Sequence, residues 1–428
     1  MTTVPTPPPH GAGAPRRASG GGGPAGATAA PNTQALPGRT KNLLLALLAF
    51  TITFWAWNLV APLAVQYTAE MGLTSTEASL LIATPVLVGS LGRILTGAFT
   101  DRYGGRLMFT VLTAASAVPV VLVALAGVWG SYPLMIAFGF LLGIAGTTFA
   151  IGIPFVNAWY EPAKRGFATG LFGAGMGGTA LSSFFTPRMV AWFGYVATHI
   201  IIAVALLVVA LIVWLFMRDS PLWKPNTAPV MPKLKAASKL AVTWQMAFLY
   251  AVTFGGFVAF STYLPTYLKE VYGYDLADAG ARTAGFAIAA VIARPVGGWL
   301  SDRIGPATVL SISLGGAAVM AVVIALQPPP ELLAGASFVL MALFLGLGTG
   351  AVFTWVAQRA PAERVGTVTG IVGAAGGLGG YFPPLVMGAT YNAEAHSYTI
   401  GLSLLCLTAL LALGFVIYLA RKGRQAAV

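Results

Sequence analysis

The sequence is dominated by twelve apolar segments, each about as long as the 20 residues that an α-helix needs to cross 30 Å of hydrocarbon. They lie near 43–67, 76–99, 107–128, 131–158, 167–190, 195–217, 243–268, 279–300, 307–326, 332–356, 366–388 and 398–420. Of the 428 residues, 57% are hydrophobic and 8% are charged, whereas a soluble domain carries about 25% charged residues. The chain is therefore predicted to be an all-α membrane protein with twelve transmembrane helices.

The remaining parts of the chain predict its domain organisation. Residues 1–40 are rich in Pro, Gly and Ala and are predicted to form a disordered cytoplasmic tail. Residues 218–242 contain four prolines and four lysines, which is typical of a cytoplasmic linker. This linker would join an N-terminal six-helix bundle, 41–217, to a C-terminal one, 243–420. Residues 421–428 would form a short cytoplasmic tail.

The basic residues predict the orientation of the chain. If the N-terminus is cytoplasmic, most of the 24 Lys and Arg residues fall in cytoplasmic loops and tails. We therefore expect a multi-pass protein of the inner (cytoplasmic) membrane with both termini in the cytoplasm. The net charge of +12 is then a topology signal rather than a sign of nucleic-acid binding.

The residues of metal and enzyme chemistry are scarce. One cysteine and three scattered histidines predict no metal cluster, and no cofactor is expected. No nucleophile–base pair lies at membrane depth, so we expect no enzyme activity.

The two halves of the chain repeat. The pattern Arg-x3-Gly-x3-Asp-Arg-x-Gly occurs at 93–104 and again at 294–305, an offset of 201 residues. A second, glycine-rich pair, 166–178 and 366–378, agrees at an offset of 200. Such glycines favour close helix packing, and beside a central cavity they would let two bundles rock. Parallel repeats of this kind predict two pseudo-symmetric six-helix bundles with a substrate between them.

Two arginines lie where a charge is costly. Arg93 and Arg294 each precede by eight residues the aspartate at the end of their helix, which places them about 12 Å inside the membrane. All 12 acidic residues fall in loops or at helix ends, so no internal counter-ion is available. A guanidinium group presents paired, planar donors that match a planar oxyanion. The sequence thus predicts a small-anion site, with mutual packing or solvation by carbonyl groups as the alternative.

The repeated loops resemble a known motif. Both are similar to the cytoplasmic motif of the major facilitator superfamily, and the resemblance extends over residues 41–420. It implies the major facilitator fold and transport by alternating access. The residues that the motif assigns to conformational change are Gly97, Asp101, Arg102, Gly298, Asp302 and Arg303.

Several segments resemble one branch of that superfamily, the nitrate/nitrite porters of the NarK type. They are GLFGAGMGGTALSSFFTPRM (170–189), FLYAVTFGGFVAFSTYLPTYL (248–268), ARPVGGWLSDRIG (293–305) and GTVTGIVGAAGGLGGYFPP (366–384). In that family, one arginine on the second helix and one on the eighth hold the anion, which implies this role for Arg93 and Arg294.

The same resemblance implies further substrate-binding residues. Family aromatics above and below the anion match Phe149 and Phe353, and a tyrosine on the seventh helix matches Tyr250. Gly175 and Gly376, from the two glycine signatures, belong to the same set. Met176 also belongs to it but departs from the family pattern. Met176 stands where many members carry asparagine, which removes an amide donor.

These observations predict a secondary active transporter of nitrate, nitrite or both. Two buried arginines would hold the anion. Coupling stays open between nitrate/nitrite exchange and proton-coupled nitrate uptake. The lack of deep Asp, Glu or His favours exchange, whereas similarity to short twelve-helix family members implies proton coupling. The alternative is a carrier of another small anion such as formate, oxalate or another carboxylate. The expected partners are the anions, the lipid bilayer and, under symport, protons, with the monomer as the functional unit.

Overall fold

The computed structural model describes residues 36–161, 165–226, 229–330, 332–361 and 364–425. This part of the chain is nearly all helical, and within it the only pairing of strand type is an isolated bridge between Asn392 and Ser397. Residues 1–35, most of the predicted tail, lie outside the described residues. The first helix begins at Arg39, close to the predicted end of that tail.

Twelve helical stretches follow one another at the predicted places, and we number them helices 1 to 12. They are Arg39–Met71, Ser75–Tyr103, Gly105–Val128, Tyr132–Trp159, 165–193, Tyr195–Phe216, Ala241–Tyr272, Leu276–Ile304, Pro306–Ala325, Leu332–Arg359, Val365–Ala389 and Thr399–Gln425. Eleven of them are long and apolar enough to cross a membrane. Helix 5 is the one that does not meet both criteria. It consists of three consecutive elements, Arg165–Gly173, Ala174–Gly177 and Gly178–Phe193.

Four helices are interrupted, and three of the interruptions are rich in glycine or proline. Helix 1 breaks after Trp57, and a 3-10 turn follows at Ala61–Leu63. Helix 4 contains a 3-10 stretch at Gly143–Thr148, and helix 5 contains another at Ala174–Gly177. Helix 11 breaks between its parts Val365–Gly379 and Phe382–Ala389, and two prolines follow the first residue of the second part. Such local 3-10 geometry within a helix often marks a functional hinge.

The internal repeat is visible in the backbone. Gly104 and Gly305, at equivalent positions of the repeat, both end their helix with φ 87°. That angle favours glycine because other residues meet a steric penalty there. Helix 2 begins with a capping box, in which the Thr74 side chain accepts from Glu77 N and the Glu77 side chain accepts from Thr74 N. Helix 8 is capped at its N-terminus by Asp275, 201 residues after Thr74, and the Asp275 side chain accepts from Asp278 N.

The predicted linker contains a short helix that the sequence analysis did not anticipate, Val230–Ser238. Asn226 N donates to the carbonyl of Asp101, so the linker contacts the first repeated loop. Thr243 Oγ1 donates to Ala237 O and ties this short helix to helix 7. From Gly38 onward the described residues form one compact unit, so the division into two bundles stays a prediction from the repeat.

Helices from the two halves of the chain pack closely at one end. We call the end that carries the Gly104 and Gly305 loops the motif face and the other end the distal face. Near the distal face, Gly388 of helix 11 packs so closely on Ser79 of helix 2 that a Cβ atom would overlap its hydroxyl. Ser79 Oγ also lies 3.2 Å from Tyr263 OH of helix 7. The Gly280 backbone of helix 8 packs in the same way on the Ser183 carbonyl of helix 5.

The same helices separate toward the motif face. On one face of helix 11, Gly373 and Gly377 are buried, whereas Gly366 and Gly370, nearer the motif face, are exposed. A Cβ atom at Gly366, at Gly370 or at Gly97 of helix 2 would meet nothing within 4 Å. The structure is therefore closed at the distal face and open toward the motif face.

Candidate anion-binding site

Arg93 is buried inside the protein, and two of its three guanidinium nitrogens have no hydrogen-bond partner among the described residues. Its side chain is 3% exposed, and Nη1 donates to the carbonyl of Gly373 on helix 11 at 3.1 Å. The two nitrogens without a partner there are Nε and Nη2, and both are buried. These two nitrogens form one edge of the guanidinium plane, the edge that binds two oxygens of one anion side by side.

Arg294 is partly buried and is held by weak acceptors. Its Nη1 donates to Met176 Sδ on helix 5 at 2.8 Å, and its Nη2 donates to Tyr250 OH on helix 7 at 3.2 Å. A thioether sulfur is a weak acceptor, and a phenol is a neutral one. Both partners are therefore displaceable by an anion, which accepts a charge-assisted and stronger hydrogen bond.

Two phenylalanine rings, those of Phe149 and Phe254, lie close to the guanidinium groups of both arginines. The Arg93 Cζ atom lies 5.0 Å from the Phe149 ring centroid and 5.7 Å from that of Phe254. For Arg294 Cζ, both distances are 5.9 Å. The two guanidinium groups thus converge on one aromatic chamber between the two halves of the chain. Cations at these distances from a ring are attracted by its quadrupole, more strongly where water is excluded.

Helix 7 supplies a stacked pair of rings to this chamber. Tyr250 and Phe254, one helical turn apart, are both fully buried and stack with centroids 4.9 Å apart and an interplanar angle of 3°. Gly376 of helix 11 leaves room for Tyr250, because a Cβ atom there would overlap the phenol ring. Gly376 thus acts by positioning the tyrosine.

Two other residues implied by the resemblance contact one arginine or support the chamber wall. Phe353 lies 5.8 Å from Arg294 Cζ and 4.7 Å from the Tyr250 ring, but no contact with Arg93 is observed within the described structure. Gly175 packs on the ring of Phe50, and a Cβ atom there would overlap it. The Phe50 centroid lies 5.7 Å from that of Phe149, so Gly175 supports the chamber wall indirectly.

The charge in the chamber is uncompensated. Among the acidic side chains that the structure describes, none pairs with Arg93 or Arg294, as the sequence predicted. A cation at the centre of a membrane costs at least about 2.5–3.5 kcal/mol and is normally paired. The chamber therefore presents two positive charges, a free guanidinium edge and aromatic walls, an arrangement suited to a small planar anion.

Two residues of the chamber were missed in the sequence analysis. Phe254 faces both arginines, whereas Phe353, the residue chosen from the resemblance, faces one. The spacing of four residues from Tyr250 could have pointed to Phe254, since residues four apart share a helix face. Gly373 contributes its carbonyl group, and only its place in the glycine repeat marked it.

The conformational motif residues lie at the motif face, away from the chamber. Arg102 stacks over Tyr103 at 5.5 Å, and Arg303 stacks over Trp299 at 4.1 Å. Asp101 and Asp302 are exposed at their helix ends. Gly97 and Gly298 line open space, where a Cβ atom would meet nothing within 4 Å. Their role in conformational change stays a prediction.

Comparison with known proteins identifies the family. The sequence profile of the Major Facilitator Superfamily matches residues 46–384 and, again, 275–426. The chain belongs to the Major Facilitator Superfamily. It is 60% identical over 385 residues to the "Probable nitrate/nitrite transporter NarK2" of Mycobacterium tuberculosis (strain ATCC 25618 / H37Rv), covering 90% of this chain and 98% of that protein. It is 36% identical to the "Nitrite extrusion protein" of Bacillus subtilis (strain 168), covering 90% and 95%.

A third relative supports this assignment, and two solved structures share the fold. The "Probable nitrate/nitrite antiporter NarK1" of Thermus thermophilus is 34% identical, covering 82% of this chain and 85% of that protein. The chain is thus a member of the nitrate/nitrite porter family, and a multi-pass membrane transporter rather than an enzyme. A bacterial homolog of the human lysosomal transporter Spinster, inward-facing and occupied, has a TM-score of 0.68 at 18% identity, covering 91% and 98%. The human organic anion transporter MFSD10 has a TM-score of 0.68 at 14% identity, covering 89% and 100%. At these identities, the two structures support the fold alone.

Proposed function

We propose that this protein transports nitrate and nitrite across the cytoplasmic membrane by alternating access, with the anion held between Arg93 and Arg294. The proposal is supported by the relatives, three of which carry nitrate, nitrite or both in their names. It is also supported by the chamber, which offers two cations without an internal counter-ion.

The observation that carries the proposal is the free edge of Arg93. Nε and Nη2 are buried and have no partner in the described part of the chain, a state that costs about 1–3 kcal/mol or more for each unsatisfied group. A planar oxyanion lying between the Phe149 and Phe254 rings would accept from both nitrogens through two of its oxygens. Arg294 would then leave Met176 and Tyr250 and contribute the second cation.

The closed and open ends of the molecule fit one state of a transport cycle. In the conformation described, glycines near the motif face line open space, and the distal end is closed by the Gly388–Ser79 and Gly280–Ser183 contacts. A monovalent anion bound between the two arginines would offset part of the repulsion between the cations carried by the two halves. The halves would then rock, closing the motif side and opening the distal side.

Counterflow in proteoliposomes tests the substrate. Vesicles loaded with unlabelled nitrate are diluted into labelled nitrate, and nitrite, formate, oxalate or phosphate is then added outside as a competitor. We expect nitrate and nitrite to suppress uptake of the label and the other anions to leave it unchanged. Stronger competition by formate or oxalate would replace nitrate with a carboxylate as the substrate.

For coupling, we propose exchange of nitrate against nitrite. At the chamber, the described contacts of the two arginines involve only neutral groups, and the one histidine in a membrane helix lies elsewhere. His199 is buried in the first turns of helix 6, with Nδ1 2.8 Å from the Tyr195 carbonyl. Uptake of labelled nitrate should require internal nitrite or nitrate and should not respond to a pH gradient alone. Uptake under the gradient with no internal anion would show proton symport instead.

A further inference from the structure

A second cavity lies apart from the arginine chamber, in the last six helices. It is a cleft of about 320 Å³ between helices 7, 11 and 12, within the range of about 300–1,000 Å³ typical of ligand sites. Its floor includes Leu314 of helix 9 together with Met341 and Leu345 of helix 10, side chains that are 0–5% exposed. The cleft therefore extends from the outer surface of the bundle to the second layer of helices.

The lining of the cleft offers no free polar group among the described side chains. Its hydroxyl groups belong to Tyr263, Tyr267 and Thr408, and each is already bonded within the protein. Tyr263 OH donates to Tyr398 OH, Tyr267 OH donates to the Ile324 carbonyl, and Thr408 Oγ1 donates within its own helix. A ligand of this cleft would thus gain dispersion contacts without hydrogen bonds, which describes a hydrocarbon chain.

The mouth of the cleft faces the surrounding membrane. Its rim is formed by exposed apolar side chains, with Phe248 40%, Leu404 45% and Phe382 60% exposed. These residues belong to three helices long and apolar enough to cross a bilayer, so the medium at the mouth is lipid hydrocarbon. An open cleft between membrane helices forfeits packing contacts unless a chain fills it.

The cleft lies directly behind the break in helix 11. Gly379, Phe382 and Pro383 line it at the break, and Gly379 packs on the Ala251 carbonyl of helix 7. On the same helix, Gly376 and Gly373 contact the arginine chamber through Tyr250 and Arg93. A chain in the cleft would therefore support the helix that shapes the anion site from its other side.

We propose that one acyl chain of a bilayer phospholipid occupies this cleft and packs against the break in helix 11. The proposal is independent of which anion the protein transports. It requires a chain held among side chains of the second helix layer, in contrast to the exchanging lipids that cover the outer faces of the bundle.

Photolabelling with a modified lipid tests this proposal. The full chain is reconstituted in vesicles that contain a phospholipid with a diazirine along one acyl chain, irradiated, digested and analysed by mass spectrometry. We expect adducts on cleft residues of helices 7 and 12, such as Ala251 and Leu405, in excess of adducts on the outer surface of helix 6. Leu211, which is 56% exposed, marks that surface.

Two filling variants and one control make the test specific. Ala409→Phe on helix 12 and Ala251→Phe on helix 7 each place a ring in the cleft, and both should reduce its labelling to the level of helix 6. Leu411→Phe adds a ring on helix 12 outside the cleft, at a position 63% exposed, and should leave the labelling unchanged. Only variants with the wild-type unfolding temperature are compared, and either filling variant suffices.

Two results would overturn the proposal. One is labelling of the wild-type cleft no stronger than that of helix 6. The other is wild-type labelling that persists in a folded filling variant.

Discussion

Arg93 and Arg294 occupy equivalent positions of the repeat, yet their surroundings differ. Arg93 is almost fully buried, has one bond to a backbone carbonyl and keeps its Nε–Nη2 edge free. Arg294 is partly buried and has both terminal nitrogens bonded to side chains, the Met176 thioether and the Tyr250 phenol. The repeat thus places two like charges at one depth, while the neighbouring helices give them different hydrogen-bond partners and different burial.

This difference indicates a division of roles between the two arginines. The free edge of Arg93 is already arranged for two oxygens, so binding there requires no bond to be broken. Arg294 must first break its hydrogen bonds to two weak acceptors. The loss of these bonds reduces its net contribution to the free energy of anion binding. We therefore expect Arg93 to anchor the anion and Arg294 to close on it, and the variants below can break or sharpen that contrast.

The largest effect should follow from replacing the arginines with lysine. Lysine keeps the charge but loses the planar pair of donors. Because hydrogen bonds to charged groups contribute about 1.5–3 kcal/mol, we expect Arg93→Lys to reduce nitrate counterflow on the order of 100-fold. Arg294→Lys should reduce it less, by about tenfold or more, since Arg294 first gives up two existing bonds.

Both lysine variants should keep the wild-type unfolding temperature, which is the control for folding. Equal and small effects at the two positions would contradict the division of roles. Full transport in both variants would remove the arginines from the site.

The next effect concerns the rings that face one arginine or both. Phe254→Leu keeps apolar volume but removes a ring that both guanidinium groups face. A cation–π contact contributes about 1–2 kcal/mol, so the apparent affinity for nitrate should fall about tenfold. Phe353→Leu is the matched comparison, and its effect should be smaller because Phe353 faces Arg294 alone. Competition counterflow measures both, and a larger loss at Phe353 would reverse the assignment of the chamber wall.

A smaller effect is expected where glycine leaves room for the tyrosine that holds Arg294. Gly376→Ala places a methyl group in the Tyr250 ring, so the ring or helix 11 must move. We expect a loss of nitrate affinity of roughly fivefold, corresponding to about 1 kcal/mol of strain from overpacking. Gly414→Ala is the control, since a Cβ atom there meets nothing within 4 Å. Unchanged binding in Gly376→Ala would show that Tyr250 does not depend on this close approach.

The smallest effect should come from the thioether. Met176→Leu conserves volume but removes the acceptor of Arg294 Nη1, so the empty site loses a weak bond that the anion must otherwise displace. Nitrate affinity should therefore rise slightly, by about two- to threefold. Isothermal titration of the purified variant checks this. A marked fall in affinity would show that the sulfur contacts the anion or orients Arg294 for it.

Much of this candidate site was predictable because the position of a residue along a membrane helix determines its depth, and the residue type determines its charge. The arginines followed from their distance to Asp101 and Asp302 and from the lack of acidic residues between. The aromatic wall was less predictable, since 24 phenylalanines occur in the chain and few can face the chamber. Phe254 on helix 7 faces both arginines and Phe353 on helix 10 faces one, a difference that depends on packing between distant segments. The Met176–Arg294 contact likewise depends on the 3-10 stretch in helix 5, which no local sequence rule predicts.

Equilibrium binding of labelled nitrate to the purified protein is the most direct test of the arginine chamber. The wild-type chain should bind the anion saturably, and nitrite should displace it. The Arg93→Lys/Arg294→Lys double variant, equally folded, should show no saturable binding although its net charge is the same. Nitrate binding of wild-type affinity in that variant would contradict a site built on paired guanidinium donors.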